Sequence, residues 1–218
     1  MLKSELEDTG VSIGRDRFFE VLRMNNLLLE PLPKSPCTTN SRHSLPVFRN
    51  IIKDIVATRP NQVWVSDITY IRTSEGFIYL SLITDKYSRK IVGYHAGDTL
   101  ETEGCLKALD MALKIKTKDV DIIHHSDRGC QYCSHLYVEK LQEHGFEISM
   151  TEENHCYENA LAERVNGILK QEYWLGNIFR SKEQARRAVK EAISLYNTRR
   201  PHTSLNYKTP DQVHELAA

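Results

Sequence analysis

Between residues 62 and 97 the chain carries three runs rich in β-branched and aromatic residues: QVWVSDITYIRT, FIYLSLITD and KIVGYHAG. Such runs read as strands. Only a few residues separate them, around Gly76 and around Tyr87-Ser88-Arg89. Connections that short cannot contain a crossover helix, so the three strands must form an antiparallel meander. The pattern then alternates. LETEGCLKALDMALKI reads as a helix, with Leu106, Leu109 and Leu113 at helical spacing, and DIIHHSD as a fourth strand. HLYVEKLQEHG is a helix closed by Gly145, FEISM a fifth strand, and NALAERVNGILKQEYW a long helix. Strands entered through helices lie parallel to their neighbours by right-handed crossovers. The expectation is an α/β fold, a mixed five-stranded sheet with helices on its faces.

The flanks differ from this core. Residues 11–29 read as an amphipathic helix, with Phe18, Val21, Leu22 and Leu28 toward one side. Residues 31–49 hold Pro31, Pro33, Pro36 and Pro46 among Ser, Thr and Asn, which marks an extended arm. Three parts are expected: an N-terminal helical segment and Pro-rich linker over 1–57, a central α/β core over 58–175, and a basic C-terminal helix and tail over 176–218.

Formal net charge is zero over 218 residues, but the distribution is uneven. Residues 61–163 carry 10 basic and 17 acidic side chains; residues 164–208 carry 10 and 3, and residues 31–60 carry 5 and 1. An acidic centre suits cations, and basic flanks suit phosphates. Solvated surface faces would give the same counts. No run approaches the roughly 20 apolar residues of a membrane span, and MLKSELEDTG has no apolar signal core. A cytoplasmic location is the default expectation. Five cysteines, an odd number without framework spacing, read as reduced thiols. Cys130 and Cys133 form one CxxC; with His124 or His125 so close, and no second pair, a tetrahedral zinc site is disfavoured.

Three carboxylates stand out. Alternation along VWVSDITYI puts Asp67 on a face with Val63, Val65 and Thr69, opposite Trp64, Ser66, Ile68 and Tyr70. A buried carboxylate must be compensated, by a cationic side chain or otherwise. Asp127 follows the apolar run of strand four, at the carboxyl end where ligand sites gather in α/β sheets, and Gly129 lets the backbone turn away just after it. Glu163 lies in the last helix of the core. At about 100° per residue, Asn159, Asn166, Gly167 and Lys170 share its face, while Leu161, Val165 and Ile168 point away. Asn159 can position a ligand or water, Gly167 allows close backbone approach, and Lys170 can meet a phosphate. Converging carboxylates are tolerated when a cation sits among them, and all-oxygen ligands suit Mg²⁺ or Mn²⁺.

With these motifs in place, the chain resembles the DDE-type catalytic subunits of bacterial insertion-sequence transposases, akin to retroviral integrases. The resemblance rests on VWVSDITYI, HHSDRGCQY and ENALAERVNGILKQEYW, and on the closing segment YNTRRPHTSLNYKTP, and covers about residues 40–210. Thirty-five residues lie between Asp127 and Glu163, the family's spacing, and Lys170 matches its basic position seven residues on. The resemblance implies a ribonuclease-H-like fold and Mg²⁺-dependent DNA cleavage and strand transfer. Asp67, Asp127 and Glu163 would be catalytic and would bind two Mg²⁺, with Mn²⁺ as a substitute. No protein nucleophile is required, and His124, His125 and His155 become structural or supporting residues. Lys170 is assigned to the DNA end, with Arg164, Asn159, Asn166, Arg199 and Arg200 as further DNA contacts. Implied partners are double-stranded DNA, both transposon ends and target, and an upstream-frame helix-turn-helix protein or fusion. A homodimer or higher assembly on DNA, nucleoid-associated, is also implied, as is the absence of any membrane role. The competing readings are a ribonuclease-H-type nuclease and a catalytically silent DNA-binding remnant.

Overall fold

The computed structural model describes residues 3, 6–7, 9–28, 43–116, 121–152 and 159–216. The arm over 31–42, Cys37, His155 and Cys156 lie outside the described residues.

Helix α1 (Arg15–Met24) is shorter than the periodicity suggests; it starts after Gly14 and stops where Asn26 takes a positive φ. Phe18 is its buried residue. Leu28 falls beyond its end and is exposed. The meander follows as expected: β1 (Val63–Thr73), β2 (Gly76–Asp85) and β3 (Ile91–Gly97). Then come α2 (Thr102–Leu113), β4 (Ile123–Ser126), α3 (His135–Glu143), β5 (Glu147–Met150) and α4 (Ala160–Glu172). The C-terminal part adds α5 (Lys182–Thr198), a 3-10 turn at Thr203–Leu205 and α6 (Pro210–Leu216).

The sheet order is β3-β2-β1-β4-β5. β1 and β3 each pair antiparallel with β2, while β4 is parallel to both β1 and β5. Apolar alternation explains the layers. Trp64, Ile83 and Val92 face α2 and α3, packing with Cys105, Ala108, Leu109, Tyr137 and Leu141. Ile71, Ile78, Leu80 and Leu82 face the other way, against Val165, Ile168 and Leu169 of α4 and Ala185, Val189 and Tyr196 of α5. Helix α5, placed by its charge in a separate tail, thus shares one apolar cluster with β1, β2 and α4. At Gly93 the packing is tight: a Cβ there would stand 2.2 Å from the Ala108 carbonyl oxygen of α2.

The sheet forks at β1. Its pairing with β2 runs from Trp64 to Thr73, but its pairing with β4 covers only Val63 to Ser66. From Asp67 onward β1 has left β4 behind.

Candidate active site

That fork creates the site. Ser66 is in register with Ser126, the last residues of the β1–β4 ladder. Asp67 and Asp127 are therefore the next residue on each of two parallel neighbours, which run about 4.8 Å apart. Helix α4 is fastened over this point by two amides. Asn159 donates from Nδ2 to the Ser66 carbonyl at 3.0 Å, and Asn166 donates from Nδ2 to Asp67 Oδ2 at 2.7 Å. Glu163 lies between those anchors on the same helical face.

Each carboxylate is held differently. Asp67 Oδ1 accepts the Ile68 N–H at 2.9 Å. Asp127 Oδ1 accepts the Gly129 N–H at 3.0 Å, so the turn after the strand orients it. Glu163 is exposed. Burial pushes the Asp67 carboxyl up to about 7, helped by the charge of Asp127 and, less, by Glu163; the Ile68 and Asn166 hydrogen bonds oppose this. Glu163 is also raised, by partial burial and then by Asp127. The three carboxylates sense one another, yet among the described residues no three His, Cys, Asp or Glu side chains are already gathered tightly enough to hold an ion. The donor chemistry nevertheless fits a hard divalent cation. It is all oxygen, it is mutually repelling, and among the described residues no cationic side chain is hydrogen-bonded to Asp67.

The other expected residues fall into two groups. Lys170 is half-buried, with Nζ 4.7 Å from the Tyr70 ring centroid. Burial lowers its pKa, while Tyr70 and Asp67 favour its charge. Arg164 and Arg199 are exposed. The remaining three are occupied internally. Asn159 and Asn166 are buried and bonded to β1, and Arg200 is buried with Nε and Nη2 each 2.7 Å from an oxygen of Glu172. Their DNA assignment came from facing the same way as Glu163 or from the basic tail; their contacts also tie them to the fold. Among the described residues, a Cβ at Gly167 would meet nothing within 4 Å. Tyr70, under Lys170, was not singled out; its signal was its place on β1 three residues after Asp67.

The histidines support the strands. His124 Nε2 is shared by the Ser66 hydroxyl at 2.8 Å and the Tyr137 hydroxyl at 2.9 Å, and burial drives its pKa down to about 3. His125 Nδ1 meets Ser149 Oγ at 2.9 Å across to β5. Cys133 is buried against Met150, with Sγ 3.6 Å from Sδ, which matches a small packed side chain.

The fold is that of integrase catalytic cores. It superposes on the HTLV-2 integrase catalytic core domain, solved in complex with magnesium, with a TM-score of 0.57 at 21% identity, over 73% of this chain and 99% of that one. On the simian T-cell lymphotropic virus intasome, in complex with a PP2A regulatory subunit, the TM-score is 0.63 at 19% identity, over 97% of this chain and 70% of that one. The integrase core domain family matches residues 57–156, and a second integrase core domain family matches 144–210. An uncharacterized 31 kDa protein of insertion element IS600 from Shigella sonnei is 38% identical over 100% of this chain and 82% of its own length. Transposase InsF of insertion sequence IS3A from Escherichia coli K12 is 34% identical, over 97% and 74%. The chain belongs to the insertion-sequence transposases with an integrase core. It is a DDE-type enzyme of the transposase/integrase kind, a polynucleotidyl transferase acting on DNA. No helix among the described residues is long and apolar enough to cross a membrane.

Proposed function

We propose that Asp67, Asp127 and Glu163 hold two Mg²⁺ ions, for which Mn²⁺ can substitute, and that the chain cleaves and joins DNA strands there. Bound ions would activate water or a DNA 3′-hydroxyl and stabilise the leaving oxygen. The observation that carries this is the β1–β4 register, which sets Asp67 beside Asp127 under the Glu163 face of α4.

The chain's own residues prepare the site. Asp67 must lose its proton before it can serve, and Asn166 keeps one of its oxygens aimed away from the strand. The exposed Glu163 is free to close onto an ion that the two aspartates have begun to bind. Lys170, steadied on Tyr70, supplies the positive charge for the DNA end. Arg164 and Arg199, both exposed, meet backbone phosphates. Asn159, Asn166 and Arg200 act by holding α4 and the C-terminal segment in place. The simian intasome that shares the fold is a multi-component assembly, which supports a homodimer or higher assembly on two DNA ends. A helix-turn-helix protein from an upstream frame would contribute end recognition, and the assembly would work at the nucleoid in the cytoplasm.

The test is strand joining. DNA flanking the chain's own reading frame, labelled at the 5′ ends of the strands to be transferred, is incubated with plasmid, the protein and Mg²⁺. Joined product in the wild type, absent in Asp127→Asn and Glu163→Gln, is expected. Joining that survives either change would refute the assignment, and degradation of RNA–DNA hybrid without joining would favour the nuclease.

A further inference from the structure

At the edge of the apolar cluster between α4 and α5, with Val165 and Ile168 in its wall, lies a cavity of about 550 Å³. Arg89, Arg164, Tyr196, Arg200 and His202 line it, together with the first turn of α4 at Ala160 and Leu161. These residues come from four places: the β2–β3 turn, α4, the end of α5, and the segment after it. The charge balance leans positive, although the buried Asp85 carboxylate acts on Arg89 without pairing with it. Of the three arginines, Arg200 is neutralised by Glu172. Among the described residues, neither Arg89 nor Arg164 has a carboxylate within ion-pairing distance.

Two buried polar atoms in the wall also lack partners. Among the described residues, the Tyr196 hydroxyl, in a fully buried side chain, has no hydrogen-bond partner, and neither has His202 Nε2, in a side chain 8% exposed. A buried hydroxyl without a partner costs stability that a phenylalanine would avoid. The two rings meet edge to face at 5.2 Å, so both polar atoms are held rather than free to turn outward. His202 is pushed down to about 4, by burial first and then by Arg200, Arg89 and Arg164, which places all three cations about the same space.

Arg89 adds an independent sign. Its φ is +65°, a left-handed conformation that glycine adopts without cost and other residues adopt at about 1 kcal/mol or more. The turn keeps an arginine where its backbone favours glycine. Arg89 and Ser204 also line a second cavity, of about 570 Å³, whose wall includes Lys86 and Lys208. The two cavities are neighbours that share Arg89 and Ser204. At the α4 end, the side chain of Asn159 does not cap the helix, because it is bonded to β1. The partial positive charge of the helix start therefore adds to the same pole.

We infer that this cavity is a phosphate-binding site that seats a backbone phosphodiester of duplex DNA, gripped by Arg89 and Arg164 with the Tyr196 hydroxyl and His202 Nε2 as hydrogen-bond partners. The inference rests on the reading that the chain acts on duplex DNA. It adds a contact away from the carboxylates and includes three residues that the basic-tail pattern did not suggest.

Two substitutions separate binding from folding. Tyr196→Phe removes only the unpartnered hydroxyl, and Arg89→Gly removes the cation while relieving the backbone. Both variants are expected to unfold at the same temperature as the wild type or higher. Duplex affinity, read by fluorescence anisotropy, should fall roughly tenfold in Tyr196→Phe. In Arg89→Gly the slope of log affinity against log salt should become shallower by about 0.9 for the phosphate released. Mn²⁺ binding should be unchanged in both. Unchanged affinity and salt slope in the folded variants would overturn the inference. So would stabilisation by inorganic phosphate with no loss of duplex affinity, which would make this a site for free anions. A wild type that binds no duplex overturns it as well. If the variants behave as expected but the wild type neither binds Mn²⁺ nor joins DNA, the strand-transfer proposal fails and this site stands.

Discussion

Asp67→Asn should make the metal-free protein more stable at neutral pH, although it removes a central site residue. Burial and the neighbouring carboxylates raise Asp67 from 3.8 to about 7. The folded state therefore holds a proton that the unfolded state releases, and stability contributed by protonated Asp67 is lost as pH rises from about 4 to about 7. Three units at 1.36 kcal/mol each set a ceiling of about 4 kcal/mol. Asp67 is only partly closed to solvent, so about 2–4 kcal/mol is the expected range. An asparagine keeps an oxygen for the Ile68 N–H, and its amide can face the buried Asn166 Oδ1, which otherwise lacks a partner. Urea unfolding in chelator at pH 4.5 and pH 8 measures the effect. Buried His124 and His202 gain stability with rising pH, being lowered to about 3 and 4. They are common to both proteins, so the difference between wild type and variant isolates Asp67. That difference should be near zero at the acid end and reach a few kcal/mol at pH 8. Saturating Mg²⁺ should close the gap by stabilising the wild type alone. Parallel pH curves for the two proteins would refute the reasoning.

Other changes test the frame around the site. Gly93→Ala should destabilise by about 3 kcal/mol or more in urea, since its Cβ meets the Ala108 carbonyl and neighbouring atoms of α2 rather than a side-chain tip. Glu172→Gln should cost about 3 kcal/mol, because it leaves the buried Arg200 guanidinium without its counter-charge. Gly167→Ala should add up to about 1 kcal/mol of stability, as helix propensity predicts where a methyl group meets nothing; if DNA backbone comes close there, the same variant will join DNA poorly while melting higher.

Much of the fold was legible because its signals are local. β-branched runs, short turns and helical leucine spacing gave the strand and helix order and the mixed sheet. The carboxylates were legible because Asp67 interrupts an apolar face and Asp127 ends an apolar run. What escaped was non-local. The helical wheel put Asn159 and Asn166 on the Glu163 face, but nothing in α4 says that this face meets β1, 93 and 99 residues earlier in sequence. Arg200 looked like one more cation of a basic tail, and its partner Glu172 lies 28 residues away. Arg89 read as an ordinary turn residue, since a positive φ at a non-glycine leaves no mark in composition. Helix α5 was set apart by its charge, while its buried stripe of Ala185, Val189 and Tyr196 ties it to the sheet.

Calorimetric titration of Mn²⁺ into the wild type, Asp127→Asn and Glu163→Gln, with and without duplex DNA, reaches the central claim most directly because it reads the carboxylates before any chemistry. Binding by the wild type that is lost in Asp127→Asn and weakened in Glu163→Gln is the expected result, with wild-type affinity rising as pH passes through about 7 and Asp67 ionises. Equal Mn²⁺ binding by the wild type and Asp127→Asn would contradict the three-carboxylate site.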